Sequence, residues 1–172
     1  MDKARVGYWI ALIVFVADQV TKWLVTGPMG VDRLGDQIVV LPIFNFTYVE
    51  NYGISLGLFQ ATSDTMRWVL VGITAAIAAA VAVWIARETN RGDQIALGMV
   101  LGGAIGNILD RSRLGYVVDF ADLHFGELRP FYIFNVSDAA ISIGVLILLL
   151  RAFLIREKRP EGVDPGEIQD HA

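Results

Sequence analysis

The chain has 172 residues, of which 55% are hydrophobic and 19% charged, and a formal net charge of −4. Its mean hydropathy of +0.53 and its long uncharged runs exclude an ordinary soluble domain and point to an integral membrane protein. Cysteine is absent, which excludes disulfides, thiolate metal sites and thiol nucleophiles; His124 and His171 are too far apart in sequence to form a ligand pair, so neither a zinc site nor any other cofactor is expected.

The first apolar run follows Lys3 and Arg5 and superficially resembles a cleaved signal peptide. No small-residue cleavage pattern ends it, and after Asp18 and Lys22 the apolar character resumes to Val25, so an uncleaved span over about 6–25 is expected. The second span is the clearest. Trp68 to Ala86 is nineteen uncharged residues between Arg67 and Arg87, with Trp68 and Trp84 near its ends as an aromatic belt requires. A third span covers about 94–111 and a fourth about 136–153. Four helices with short connections predict an antiparallel bundle. Residues 1–156 form one integral membrane domain, and the charged, Pro- and Gly-containing stretch 157–172 reads as a disordered cytoplasmic tail.

Lys3, Arg5, Arg87, Arg91, Arg151, Arg156, Lys158 and Arg159 all fall on one side of this topology. The positive-inside rule makes that side cytoplasmic and puts both termini there. The two longer connectors then lie outside. In the first, Gln37–Leu41 and Ile43–Glu50 are rich in β-branched and aromatic residues on either side of Pro42, and Phe44, Phe46 and Tyr48 alternate with Asn45 and Thr47, which predicts a small antiparallel sheet on the outer membrane surface within about 37–59. The second holds a shorter strand-like piece around Tyr116–Phe120.

Polar residues inside the spans are costly and need a reason to be there. At the helical rise of about 1.5 Å per residue, Asp18, counted from Arg5, and Asp138, counted back from Arg151, each lie roughly 20 Å from the cytoplasmic cations. Asn107, counted from Arg91, lies slightly farther out. Three spans therefore bring polar groups to similar depth in the outer leaflet. Gly98, Gly102, Gly106 and Asp110 recur every four residues, a small-residue stripe that lets a neighbouring helix approach and turns Asp110 toward it. Asp18 with Lys22, and Asp110 beside Arg111, each have a cation close by and read as structural. Asn135 is placed to cap the fourth span. Asp119 and Asp138 have no basic residue within helical reach: Asp138 is either a functional acid or a second capping group, and Asp119 is either a functional acid or a solvated loop acid like Asp122.

Two carboxylates meeting at a membrane boundary suggest aspartic-protease chemistry, in which like charges share one proton and activate water. The pattern Gly53-Ile54-Ser55-Leu56-Gly57 also matches a serine nucleophile elbow, but the α/β sheet that such an elbow needs is not foreseen. A Ser–Lys dyad using Lys22 with Ser55, Ser137 or Ser142 is another arrangement, although Asp18 already partners Lys22. A small proton- or cation-coupled transporter is the reading from a different class. The outer sheet and the confinement of the polar groups to one leaflet weigh against it.

Four segments in order, Asp18-Gln19-Val20-Thr21-Lys22, Asn51-Tyr52-Gly53, Gly102-Gly103-Ala104-Ile105-Gly106-Asn107 with Asp110-Arg111 and Val117-Val118-Asp119-Phe120, and Phe134-Asn135-Val136-Ser137-Asp138, resemble the motifs of the lipoprotein signal peptidases (signal peptidase II). The resemblance implies an all-α membrane protein of four transmembrane helices with a small extracytoplasmic β-cradle, located in the bacterial inner membrane with its active site near the outer leaflet. It implies an aspartyl endopeptidase that cuts diacylglyceryl-modified prolipoproteins just before the lipidated cysteine. Asp119 and Asp138 match the catalytic pair; Asn51, Gly53, Asn107, Arg111 and Asn135 match substrate- and globomycin-binding positions; Asp18, Lys22 and Asp110 match structural ones. Signal-peptide segments, membrane lipid and globomycin-type inhibitors are the implied partners, with no nucleic acid and a monomeric state. Ile54 and Ser55, where the family commonly has alanines, and Ser137, in place of the usual alanine, are departures around the site.

Overall fold

The computed structural model describes residues 5–54, 59–60, 64–126 and 128–156. Lys3, Ser55, Gly57 and the tail at 157–172 lie outside the described residues. Four helices, α1 (Arg5–Thr26), α2 (Asp64–Arg87), α3 (Arg91–Leu114) and α4 (Val136–Arg156), alternate with short strands. The strands are β1 (Gln37–Leu41), β2 (Phe44–Asn51), β3 (Gly53–Ile54), β4 (Phe59–Gln60) and β5 (Val117–Leu123). Each helix is long and apolar enough to cross a membrane, and the chain is a multi-pass membrane protein. Each of the four expected spans falls within one helix. The helices extend beyond the apolar runs because their polar ends continue the hydrogen-bond ladder past the hydrocarbon.

α3 is the central helix and touches each of the other three. Its bounds are chemically set. Asn90, in an extended conformation, accepts from the N–H groups of Gly92 and Asp93 at the start, satisfying donors that have no partner within the helix. Gly115, at φ 92°, closes the other end by donating to the Arg111 carbonyl, a left-handed cap that favours glycine. Arg67 of α2 reinforces that end, donating to the carbonyls of Arg111 at 2.7 Å and Ser112 at 2.5 Å.

The glycine stripe of α3 faces α1. A Cβ at Gly98 would overlap the Gly7 carbonyl oxygen, and one at Gly102 would overlap that of Ala11. On the adjoining side, a Cβ at Gly103 would lie 2.5 Å from the Ser137 carbonyl oxygen of α4. The small residues thus hold three backbones at van der Waals distance, as packing without a hydrophobic driving force demands. At the opposite ends of the helices, Arg151 of α4 pairs with Asp93 of α3 at 2.6 Å, and the Tyr8 hydroxyl of α1 donates to the Ala82 carbonyl of α2. These contacts fix the antiparallel arrangement.

The sheet has the order β1-β2-β5, so the strand of the second connector completes the hairpin formed by the first. Phe46 pairs with Ala121 but Val49 pairs with Asp119, leaving one extra residue on β2. Directly opposed residues share a face, so this bulge brings Phe44, Phe46, Val49 and Asn51 to the same side as Asp119 and Ala121. Strict alternation would have separated Asn51 from Phe46. Beneath the sheet, Val25, Val31, Tyr48, Val118, Phe120 and Ala121 form a buried apolar cluster, which joins the end of α1 to β5.

Gly102→Val should force α1 and α3 apart, because its Cβ would also meet Ala11 Cα and Val14 Cβ at 2.9 Å. A loss of about 1–3 kcal/mol or more is expected, read as a lowered midpoint of denaturation in detergent micelles. An unchanged midpoint would contradict this packing.

Candidate active site

The site starts with a buried cation. Lys22 and Asp18 are four residues apart and so share one face of α1. The Lys22 ammonium lies 2.7 Å from Asp18 Oδ2 and 2.8 Å from Asp110 Oδ2 of α3, and all three residues are at most 5% exposed. Two carboxylates around one ammonium leave an excess negative charge, which further donors offset. Gln19 Nε2 donates to Asp18 Oδ2 and Asp110 Oδ1, both at 3.1 Å. Ser137 N–H of α4 donates to Asp18 Oδ1 at 2.9 Å, and Val118 N–H of β5 donates to Asp110 Oδ2 at 3.2 Å. Each acid of the cluster therefore grips the backbone one residue before Asp119 or Asp138.

Asp119 projects from β5 and is 2% exposed. It receives Asn51 Nδ2 on Oδ2 at 3.0 Å and Asn135 Nδ2 on Oδ1 at 2.7 Å. Asp138, half-buried in the first turn of α4, receives Asn107 Nδ2 on Oδ1 at 2.8 Å. Asn135 and Asp138 also form a reciprocal cap at the start of α4. Asn135 Oδ1 accepts the Asp138 N–H at 2.9 Å, and Asp138 Oδ2 accepts the Asn135 N–H at 3.4 Å, the arrangement of a capping box. The helix N-terminus favours negative charge here.

Burial pushes the Asp119 carboxyl up to about 7, and repulsion from Asp138 acts in the same direction. Hydrogen bonds from Asn51 and Asn135 and the charge of Lys22 oppose the rise. A carboxyl poised near neutrality beside a second one suits proton transfer at physiological pH.

Arg111 extends from α3 toward the same acids. Its Nη2 makes a long 3.5 Å contact with the Gly53 carbonyl, and its buried Nε has no hydrogen-bond partner among the described residues. Gly53 is buried, and its N–H donates to Asn51 Oδ1 at 3.1 Å. The Ser137 hydroxyl is fully buried without a partner among the described residues, and a Cβ at Gly106 would overlap it.

The residues singled out from sequence converge. Asp119, Asp138, Asn51, Asn107 and Asn135 form one hydrogen-bonded group, which Arg111 and Gly53 border and the Asp18–Lys22–Asp110 cluster supports. Two details differ from expectation. Asp110 pairs with Lys22 of α1 and not with its neighbour Arg111, because four-residue spacing turns Asp110 toward α1 along the glycine stripe. Neither Asp119 nor Asp122 is a solvated loop acid. Asp122 is 1% exposed and forms an ion pair with Arg129, since both acids lie on β5 inside the sheet. Gln19 and Arg67 were not foreseen; Gln19 stands within the first motif, whereas no local signal marks Arg67.

Four membrane-crossing helices, a small outer sheet and two acids bound together by asparagines define a membrane protein with a hydrolase-like site. A family model described as signal peptidase (SPase) II matches residues 10–154. The chain is 56% identical over 154 residues to the lipoprotein signal peptidase of Sphingopyxis alaskensis, covering 90% of this chain and 88% of that protein. It is 54% identical over 160 residues to that of Rhizorhabdus wittichii, covering 92% of each. A solved structure described as a bacterial membrane enzyme, obtained by the in meso method at 2.3 Å, superposes with a TM-score of 0.77 at 29% identity, covering 92% of this chain and 94% of that one. The chain belongs to the signal peptidase II family and is a peptidase.

Lys22→Met should leave two buried carboxylates without their cation and lower stability by about 3–5 kcal/mol. Denaturation in micelles measures the loss; adding Asp18→Asn and Asp110→Asn to the same chain should recover part of it. Wild-type stability of Lys22→Met alone would show that the cluster is not a support.

Proposed function

We propose that this chain is an aspartic endopeptidase that removes the signal peptide from diacylglyceryl-modified prolipoproteins, cutting on the N-terminal side of the lipidated cysteine. The observation that carries the reading is the bridging of Asp119 and Asp138 by Asn135, which places two acids of different helical and strand origin in one hydrogen-bonded unit. Family membership supports the substrate class.

In this mechanism the pair holds one proton. The ionised carboxylate takes a proton from water while the water oxygen attacks the scissile carbonyl carbon, and the protonated carboxyl gives its proton to the carbonyl oxygen. The resulting gem-diol then collapses. Its C–N bond breaks as the acid that gained the water proton passes it to the leaving nitrogen, and the other acid recovers a proton from a gem-diol hydroxyl. The products are a carboxyl end on the signal peptide and the free amine of the lipidated cysteine; the dyad returns to its starting charge.

Arg111, whose Nε lacks a partner among the described residues, is suited to hold a substrate carbonyl beside the dyad. Gly53, buried next to Asn51, lets backbone approach there, and in this reading Asn51, Asn107 and Asn135 border the bound segment. Globomycin-type inhibitors would bind at the same place. We place the site near the outer leaflet of the inner membrane, with both termini cytoplasmic, residues 1–156 as one catalytic domain and the monomer as the working unit. The helix ends bearing Arg5, Arg87, Arg91 and Arg151 support that orientation.

Purified Asp119→Asn and Asp138→Asn should each lose about 100- to 10,000-fold in cleavage of a lipidated prolipoprotein, while Ser55→Ala retains activity. Normal turnover by either stable aspartate variant would remove the dyad, and abolished turnover by a folded Ser55→Ala would move the chemistry to the serine. An unlipidated precursor should be cleaved poorly; equal cleavage would remove the lipid requirement.

A further inference from the structure

All three asparagine amides of the site are turned toward protein acids, and two have orientations locked by the backbone. Asn51 Oδ1 accepts the Gly53 N–H at 3.1 Å, and Asn135 Oδ1 accepts the Asp138 N–H at 2.9 Å. An amide whose oxygen is held by a donor must present its NH2 group on the other side. In both residues that side faces Asp119, one NH2 on each carboxylate oxygen. The Asn135 NH2 also reaches the Val118 carbonyl at 3.2 Å and Asn107 Oδ1 at 3.4 Å, and Asn107 passes its own NH2 to Asp138. Asn135 is 0% exposed.

We infer that Asn51 and Asn135 are positioning residues that act through Asp119, clamping its two oxygens and setting the pH range in which the dyad holds its single proton. The inference rests on the dyad reading above. Two N–H donors stabilise the ionised carboxylate, and they oppose the rise that burial and Asp138 impose on Asp119. The other charges facing Asp119 come from three elements: Asp138 from α4, Lys22 from α1, and Arg111 from α3. Lys22 is itself shared with Asp18 and Asp110, and Glu50 precedes Asn51 on β2. Among these groups only the asparagines are neutral, so their loss moves the proton balance without removing a cation.

Asn135 performs two separable tasks, and replacement by serine separates them. Asn135→Ser keeps a side-chain oxygen that caps α4, a role that serine fills as well as asparagine, but removes the NH2 donor to Asp119 without adding a charge. Asn51→Ser does the same for the turn at Gly53. Without the donors, the ionised form of Asp119 becomes less favourable and binds its proton more tightly. The basic limb of the pH profile of kcat/KM for lipidated prolipoprotein, where the dyad gives up its last proton, should therefore move upward, by about one pH unit or more, with a cooperative melt retained.

The measurement is that profile for wild type and both variants, with melting recorded in the same micelles. An upward shift in the active variants supports the inference. An unmoved profile overturns it, as does loss of activity at every pH with native melting, which would make the asparagines direct participants in the chemistry. An unmoved profile in Asn51→Ser overturns it even where Asn135→Ser does not fold. Activity of Asp119→Asn decides the dyad reading separately, whereas an unmoved profile in active asparagine variants defeats only the clamp.

Discussion

Lys22 is a single ammonium buried among helices, and it shares itself between the carboxylates of Asp18 and Asp110. A charge in that position is tolerable only if its partners stay within hydrogen-bonding distance, so α1 and α3 are held at one separation and one rotation. The glycines at 98, 102 and 106 permit the approach that this pairing needs. From there the constraint passes outward through backbone N–H groups, Asp18 to Ser137 and Asp110 to Val118. The residues next in sequence are Asp138 and Asp119. The separation of the two acids thus depends on an ion cluster that neither of them touches by hydrogen bond.

The cluster and the acids face opposite electrostatic requirements. Asp18 and Asp110 sit against a cation and backbone donors. Asp119 sits against neutral amides in a buried position, where burial pushes its proton affinity up toward neutrality. Proximity to Lys22 tempers this rise without forming a salt bridge. One kind of side chain is thus scaffold in one setting and, in the proposed mechanism, proton carrier in another, with environment deciding which.

Much of this was legible in the sequence because it is local or periodic. Nineteen uncharged residues between two arginines specify a span, i,i+4 spacing pairs Asp18 with Lys22, and the four-residue repeat of glycines turns Asp110 to a helix interface. Counting residues from the arginines at the far helix ends even brings Asp18, Asn107 and Asp138 to similar depth, in keeping with the contacts that link their helices. What escaped was long-range and register-dependent. Nothing near Asp110 signals that its cation lies on α1, since the adjacent Arg111 looks like the nearer choice. The β2 bulge that brings Asn51 to the Asp119 face leaves only a faint trace, the adjacent apolar pair Tyr48 and Val49 at which the alternation changes phase. The burial of Asp122 follows from its place on β5 opposite Asn45, a pairing made across the whole of α2 and α3.

The central claim is that Asp119 and Asp138 work as a pair that exchanges one proton near neutrality. Infrared-detected titration of the purified protein in micelles observes protonated carboxyl groups directly, and comparison with Asp119→Asn and Asp138→Asn assigns them. A carboxyl that loses its proton near pH 7 in the wild type, with that transition displaced or absent in both variants, is the expected result. A wild type with no carboxyl transition near neutrality, or one unaffected by either substitution, would contradict the pairing of the two acids.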